Sequence, residues 1–158
     1  MDIKELNKYL QSLPEEIMED AADIVAETAT AYYKGTFRTK EFDGNPWVQP
    51  KVPKRTGSLL IDSGELVNSI RPAIVTPQRV VVSAGNSKVD YAQVHNEGFK
   101  GTITVPAHVR KTKKWGDVKV KEHNRQVNIP QREFAGDSNE LNEQIHARIE
   151  GYIDSLNK

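Results

Sequence analysis

The chain has 158 residues, with 22 Lys or Arg and 22 Asp or Glu, so its formal net charge is zero. It contains no cysteine, which excludes disulfides and thiolate metal sites, and its 37% hydrophobic residues suffice for the core of one folded domain. No segment has the length of a transmembrane helix or the apolar core of a signal peptide, so we expect a soluble protein made in a cytoplasm.

The zero net charge conceals an uneven distribution along the chain. Residues 1–30 carry −6 and residues 136–158 carry −3, whereas residues 31–60 carry +4 and residues 101–135 carry +5. Two explanations are open. Acidic helices could pack beside basic loops within one chain, or complementary surfaces of different copies could associate head to tail.

The first 35 residues predict an N-terminal helical segment. Apolar residues recur there at three- and four-residue steps, namely Ile3, Leu6 and Leu10, then Ile17, Ala21, Ile24, Val25 and Thr28. Pro14 interrupts the pattern and suits the first turn of a helix. We therefore predict a short helix, a kink, and a longer helix from about Pro14 to Tyr33, which Gly35 ends.

Residues 36–58 predict a long, irregular and basic loop. Glycine and proline are dense there, at Gly44, Pro46, Pro50, Pro53 and Gly57. A loop of this length inside a small domain is uncommon and is often functional.

Residues 59–135 predict a sheet region. Ser63 is a candidate N-cap for a brief helical turn through Leu66 and Ile70. The predicted strands, in chain order, are residues 73–76, 79–84, 102–105, 118–120 and 127–129. The first two join through a turn at Pro77-Gln78, and alternation of valine and isoleucine around residues 123–125 predicts a second hairpin between the last two.

Residues 137–157 predict a C-terminal helix. Asp137 has Glu140 three residues further on, which is the spacing of a capping box. An apolar stripe follows at Leu141, Ile145, Ile149, Ile153 and Leu156. The element order predicts a single α+β domain, with a long N-terminal helix and a C-terminal helix packed on one face of a small antiparallel β-sheet, and with long irregular loops.

No arrangement of residues indicates catalysis. The four histidines, His95, His108, His123 and His146, match no zinc-ligand spacing. Ser63 lacks a Gly-x-Ser-x-Gly context, and glycine-rich phosphate loops are missing. We therefore predict a protein that is not an enzyme, with no catalytic residue, no cofactor and no metal site.

The basic stretch of residues 108–125 suggests an alternative function. It contains seven Lys or Arg residues around Trp115. Clustered cations neutralise phosphates and an interleaved tryptophan can stack on a base, so this stretch could bind nucleic acid without sequence preference. A projecting basic loop anchored by one tryptophan would produce the same sequence.

Four motifs occur in a recognisable order. They are Gly44 with Trp47, the run Leu60–Ile70, the segment Tyr91–Phe99, and Ile129-Pro130 with Arg132 and Phe134. Two of them also have a simple structural explanation. Residues 96–98 could form a turn in which Gly98 takes a positive φ, with Tyr91 and Val94 in the core, and Phe134 could pack under the last helix.

In combination and order these motifs resemble the phage virion morphogenesis family, the Mu-type tail-completion proteins, and more distantly the head–tail joining proteins of long-tailed phages. The resemblance implies a non-enzymatic structural protein in the neck or upper tail of a phage or prophage virion. It also implies a homo-oligomeric ring that meets neck and tail proteins and is assembled in the bacterial host cytoplasm.

We expect the loop around Trp47 and the basic stretch around Trp115 to supply interface surface. The residues that carry the resemblance or are expected at an interface are Trp47, Gly64, Leu66, Tyr91, His95, Gly98, Phe99, Trp115, Pro130, Arg132 and Phe134.

Overall fold

A computed structural model of the chain describes residues 4–5, 8, 12, 14–52 and 55–156. The first long helix, α1, spans Glu15–Thr39. It begins directly after Pro14, as predicted, and Glu15 and Glu16 occupy its first turn, where the helix dipole stabilises acidic side chains. The short helix and kink predicted around Ile3, Leu6 and Leu10 lie outside the described residues.

The prediction that Gly35 ends this helix is wrong. The helix continues for another turn and stops at Lys40, which adopts a left-handed φ of 63° and donates its backbone N–H to the Thr36 carbonyl at 2.7 Å. The extra turn buries Phe37 until only 1% of it is exposed. Burying a phenylalanine is worth about 1.5–3 kcal/mol, which exceeds the cost of about 1 kcal/mol for a helical glycine.

Part of the loop predicted for residues 36–58 forms regular secondary structure. Strands β1 (Glu41–Phe42) and β2 (Asn45–Pro46) form a small antiparallel hairpin. Its two turn residues, Asp43 and Gly44, have φ values of 48° and 74°, the positive values that a two-residue type I′ turn requires. The irregular part of the loop therefore begins only at Trp47.

The helical turn predicted near Leu66 is confirmed, but its cap is different. Helix α2 spans Glu65–Asn68 and is preceded by Gly64, whose φ is 83°, with no side-chain cap hydrogen bond. The prediction of Ser63 as N-cap is therefore wrong. A glycine in the left-handed region turns the chain directly into the helix, which leaves the Ser63 side chain exposed.

The first predicted hairpin is confirmed. Strands β3 (Arg71–Thr76) and β4 (Arg79–Ser83) pair antiparallel on either side of Pro77-Gln78. The hydroxyl of Thr76 accepts the Arg79 N–H at 3.0 Å and closes the turn. The hairpin lies against α1.

Helix α3 (Ala92–Glu97) leads into the longest β structure. Strand β5 (Phe99–Val105) pairs with β8 (His123–Ile129), and β6 (His108–Thr112) pairs with β7 (Gly116–Val120). The β5–β8 ladder ends at the pair Val105 and His123, and the β6–β7 ladder begins at the pair His108 and Val120. Two residues lie between the ladders on each side, so the second ladder continues the register of the first. Residues 99–129 therefore form one antiparallel ribbon, interrupted where Pro106 lacks a backbone donor. We call it the β-arm.

The predicted second hairpin is wrong, because β7 and β8 are not partners. The reversal of direction lies earlier, at Lys113-Lys114-Trp115. There the hydroxyl of Thr112 accepts the Trp115 N–H at 3.0 Å, and Gly116 has a φ of 66°. A three-residue turn followed by a left-handed glycine is a common hairpin connection.

The last helix, α4, spans Asn139–Leu156 and packs antiparallel to α1. The direction follows from the contacts of Tyr32 with Glu140 and of Asp20 with Tyr152. The prediction of Asp137 as N-cap is wrong. The Ser138 hydroxyl accepts the Leu141 N–H at 3.2 Å and donates to the Asp43 carboxylate at 2.9 Å, so Ser138 begins the helix.

The core has two parts. The smaller part joins α1 to α4 through Ala21, Ile149 and Ile153. The larger part lies beneath the C-terminal end of α1 and comprises Phe37, Trp47, Leu66, Ile70, Val89, Ala92 and Phe134. The α+β class is confirmed, although the described strands form four two-stranded sheets rather than one sheet. Within the described residues no helix is long and apolar enough to span a membrane.

Candidate assembly interface

The two motif segments lie side by side at the base of the β-arm. Phe99 and Ile129 form the first pair of the ribbon. On the core side of this pair, the backbone N–H of Arg132 donates to the His95 carbonyl at 2.9 Å. Segments that are far apart in sequence therefore meet where the β-arm leaves the body of the protein.

Gly98 makes the turn from α3 into the β-arm. Its φ is 78° and its ψ is 166°, a combination that is essentially restricted to glycine. A Cβ atom at this position would lie 2.9 Å from the Gln131 nitrogen and 3.1 Å from the Ile129 carbonyl oxygen. The predicted positive φ is confirmed, and the close approach of the two chain segments adds a second reason for glycine.

Asn96 joins the two segments through its side chain. Its Oδ1 accepts the backbone N–H groups of Phe134 at 2.8 Å and Ala135 at 3.0 Å, and its Nδ2 donates to the Ala135 carbonyl at 2.8 Å. Sequence analysis placed Asn96 in a turn and missed this role. An amide carries both donors and acceptors, so one side chain replaces three missing backbone partners.

The base of the β-arm is also attached to the loop that follows β2. Arg132 is only 7% exposed and its Nε donates to the Val48 carbonyl at 2.9 Å. Burial lowers the pKa of Arg132, but a guanidinium stays protonated in proteins. Trp47 donates its Nε1–H to the Glu133 carbonyl at 2.5 Å.

Trp47 itself lies in the core. It is 5% exposed and packs edge-on against Phe37 with 5.3 Å between ring centroids. Its indole therefore stabilises this chain and is not exposed surface. An interface near Trp47 stays a prediction that concerns the neighbouring loop, where Val48 and Val52 are 57% and 77% exposed.

Five of the predicted residues line one cleft of about 290 Å³ beside the base of the β-arm. They are Gly64, Leu66, Tyr91, His95 and Arg132. The Tyr91 and His95 rings meet edge-on at 5.7 Å, and Tyr91 is 39% exposed rather than packed in the core as the structural explanation required. In the described part of the chain no group of histidine and carboxylate side chains could hold a metal ion.

The β-arm itself is exposed along its whole length. None of residues 99–129 is buried. The β-arm carries eight Lys or Arg and two Asp or Glu, a net charge of +6. At its tip Trp115 is 72% exposed, with the Lys114 ammonium 5.1 Å from the ring centroid. The structure thus separates the two predicted tryptophans into a core residue and a surface residue.

Residues 1–154 match the sequence profile of the phage virion morphogenesis family. The chain belongs to this family. No curated protein and no solved structure matches it. The resemblance expected from the four motifs is therefore confirmed, and with it a role in the assembly of a phage virion.

Seven of the predicted residues of this virion morphogenesis protein fall into two structural groups. Gly98, Phe99, Pro130 and Arg132 lie at the base of the β-arm, and Trp47, Leu66 and Phe134 belong to the larger core. Trp115 lies outside both groups, at the tip of the β-arm. Some of the family motif residues thus form the base of the β-arm, and others form the core beneath α1.

Sequence analysis missed one further contact in this virion morphogenesis protein. Asp43 in the β1–β2 turn accepts hydrogen bonds from the Ser138 hydroxyl and from the backbone N–H of Glu140 at 3.0 Å. These bonds, led by that of Glu140, hold the pKa of Asp43 below its usual value. The sequence Asp43-Gly44 indicates a turn, but it does not indicate the partner Glu140, which lies 97 positions further along the chain.

Proposed function

We propose that this protein is a non-enzymatic structural component that acts in tail completion or head–tail joining, in the neck or upper tail of the virion. The observation that carries the proposal is the β-arm. An exposed ribbon of 31 residues contributes no buried residue to the core of its own chain. An isolated two-stranded ribbon is only marginally stable in water. A contact with another protein would stabilise the β-arm and would explain its length.

The support of the β-arm agrees with a joining role. Asn96, Gly98 and Arg132 fix both ends of the ribbon to the core, so the β-arm is presented in one direction. We propose that the protein forms a homo-oligomeric ring, assembles in the host cytoplasm, and contacts neck or tail proteins of the virion. Ring formation requires a heterologous contact that closes on itself, and a projecting element suits such a contact.

The proposal is tested by deleting the gene in the phage or prophage that encodes the chain and examining the particles by electron microscopy. We expect unjoined heads and incomplete or unattached tails. Wild-type protein supplied in trans should restore joined, infectious particles. Joined and infectious virions made without the chain would refute a role in tail completion or joining.

A shortened β-arm makes the test specific to this element. Val105 and His123 face each other across the ribbon, so a two-residue Asn-Gly turn can connect them and remove the outer ladder. The shortened chain should fold, because the outer ladder contains no buried residue. Unchanged thermal unfolding together with failure to restore joined particles would assign the role to the β-arm.

Nucleic-acid binding by residues 108–125 is the second candidate. The specific observation in its favour is the exposed Trp115 with Lys114 beside its ring, since an exposed aromatic ring among cations can stack on a base. Such binding would weaken steeply as the salt concentration rises. Fluorescence anisotropy with labelled single- and double-stranded DNA at two salt concentrations measures it, and a structural joint needs no such affinity.

A further inference from the structure

Among the residues that the structure describes, the positive charges of the β-arm have no acidic partner. All eight Lys and Arg side chains of residues 99–129 are exposed. Among the described residues the structure contains a single ion pair, between Arg148 and Glu27, and it does not involve the β-arm. A net charge of +6 is therefore concentrated on a projecting element, and no ion pair of the described residues neutralises it.

The opposite charge is concentrated on the two long helices. Helices α1 and α4 together carry ten Asp or Glu and three Lys or Arg, a net charge of −7. All ten acidic side chains are exposed. On α1 the residues Glu16, Glu19 and Asp23 follow one another at three- and four-residue steps, so they share one side of the helix.

These two surfaces do not pack extensively against each other among the described residues of one chain. The helices pack against each other, and the described residues show no extensive contact between the β-arm and either helix. Two like-charged helices packed together repel each other, and a cationic surface that covers them would relieve this repulsion. One explanation of the uneven charge was that acidic helices pack beside basic segments of the same chain. The described residues show no such packing for the β-arm.

The β-arm also presents apolar side chains that its own chain leaves uncovered. Ile103 and Val118 are each 40% exposed and Val109 is 56% exposed. The cross-strand pairs place Ile103 on the same face as Gly101 and Val127, whereas the opposite face carries the hydrogen-bonded pair of Gln126 and Thr102. In the outer ladder Val109 pairs with Lys119 and Val118 pairs with Arg110, so the two valines lie on opposite faces and each has a cation directly across from it. Either face can therefore pack an apolar side chain against a partner while the neighbouring cations meet acidic groups.

We propose that the β-arm of one copy docks on the acidic α1–α4 helix pair of a second copy. The inference rests on the proposed ring assembly and names the two surfaces that would form each contact. Because the β-arm and the helix pair lie on different parts of the chain, the contact is heterologous, and its repetition can close a ring. Charge complementarity selects the partner surface, and the tip residue Trp115 supplies the largest exposed side chain.

The test uses charge reversal on the full chain. The first variant carries Lys111→Glu, Lys113→Glu and Lys114→Glu, and the second carries Glu16→Lys, Glu19→Lys and Asp23→Lys. All six side chains are exposed, so both variants should fold. We expect wild-type chain to associate at about 50 mM salt and to dissociate at about 500 mM, because salt screens exposed charges. Each variant alone should associate at least about tenfold more weakly.

The decisive measurement is a mixture of the two variants. In the mixture each reversed surface meets its complement on the other variant, so light scattering should show association restored to the wild-type mass. A chain that carries both sets of substitutions should recover as well. A matched control reverses three exposed cations outside the β-arm, Arg71→Glu, Arg79→Glu and Lys88→Glu, and should behave as wild type.

Several outcomes would overturn the inference. They are a strictly monomeric wild-type chain at low salt, unchanged association of both variants, and a mixture that fails to recover. Loss of DNA binding in the first variant without any change in mass would assign the β-arm to nucleic acid instead. The gene-deletion test separates the proposed function from the docking contact. Unjoined particles would still support the function if the docking contact were refuted.

Discussion

The side chain of Asn96 accepts the backbone N–H of Phe134 at 2.8 Å, across 38 positions of the sequence. The same side chain makes two further hydrogen bonds with the backbone of Ala135. Phe134 is only 1% exposed, so this contact fixes a core residue and the base of the β-arm at the same time. The family motif around residues 91–99 therefore holds in place the segment that follows the β-arm.

Asn96→Ala should lower the free energy of unfolding by roughly 2–4 kcal/mol, because partly buried backbone groups of Phe134 and Ala135 lose their partners. Urea unfolding followed by circular dichroism measures the change. Asn128→Ala, at an exposed position of β8, is the matched control and should leave stability within about 0.5 kcal/mol of wild type. Equal stability of the two variants would contradict the proposed role of Asn96.

The contact of Asp43 with the start of α4 predicts a dependence of stability on pH. Backbone and hydroxyl hydrogen bonds hold the pKa of Asp43 below its ordinary value of 3.8, so the folded state favours the ionised form. This contribution is complete above the ordinary pKa and is lost as the pH falls through the lower folded value. Stability should therefore decrease on acidification below about pH 4.

The variant Asp43→Asn isolates this effect. Asparagine tolerates the left-handed φ of 48° at this position, so the β1–β2 turn should persist. The variant should be less stable than wild type at pH 7, and the difference should shrink as the pH falls below 4. Parallel stability curves for both proteins from neutral to acidic pH would show that Asp43 does not contribute through its charge.

The sequence allowed the element types to be predicted better than their ends and partners. Helical periodicity and Pro14 located the start of α1, and alternating valines located most of the strands. The end of α1 was missed because the burial of Phe37 overrides the local penalty of Gly35. Tertiary packing determines where such a helix ends, and a local sequence pattern contains no information about tertiary packing.

Strand partners were harder to predict than strands. Alternation around residues 123–125 suggested a hairpin of β7 with β8, whereas β7 pairs with β6 and β8 pairs with β5. The available signal was Gly116, which supplies the positive φ of the true turn. The cleft beside the β-arm could not be predicted at all, because its lining combines four segments that only the folded chain brings together.

Gly98 and Gly116 should respond differently to replacement by alanine. Both have positive φ, but a Cβ at Gly98 would lie 2.9 Å from the Gln131 nitrogen, whereas a Cβ at Gly116 meets nothing within 4 Å. Gly116→Ala should cost about 1–2 kcal/mol from the left-handed conformation alone. Gly98→Ala should cost more, roughly 3 kcal/mol, because its φ of 78° and ψ of 166° are essentially restricted to glycine and because the two segments at the base of the β-arm must move apart.

Chemical denaturation of the two alanine variants measures this difference. The Gly98→Ala variant should also alter the environment of Phe134, since residues 129–135 shift with the base of the β-arm, and amide exchange in this segment should become faster. Equal stability losses for both variants would show that neither the glycine-only backbone conformation nor the close approach at Gly98 adds a cost.

The two tryptophans should respond to substitution in opposite ways. Trp47 is 5% exposed and Trp115 is 72% exposed. Trp47→Ala should cost about 3–5 kcal/mol of stability, because it leaves a cavity beside Phe37. Trp115→Ala should change stability by less than about 0.5 kcal/mol, because its side chain contacts little besides Lys114.

Self-association should show the reverse order. Trp47→Phe keeps most of the buried volume and should leave self-association unchanged once the variant is folded, whereas Trp115→Ala should weaken it, since exposed tryptophans are common anchors of protein interfaces. Light scattering at low salt, with stability measured on the same samples, separates the two effects. Normal association of Trp115→Ala would remove the tip of the β-arm from the interface and confine the contact to the charged strands behind it.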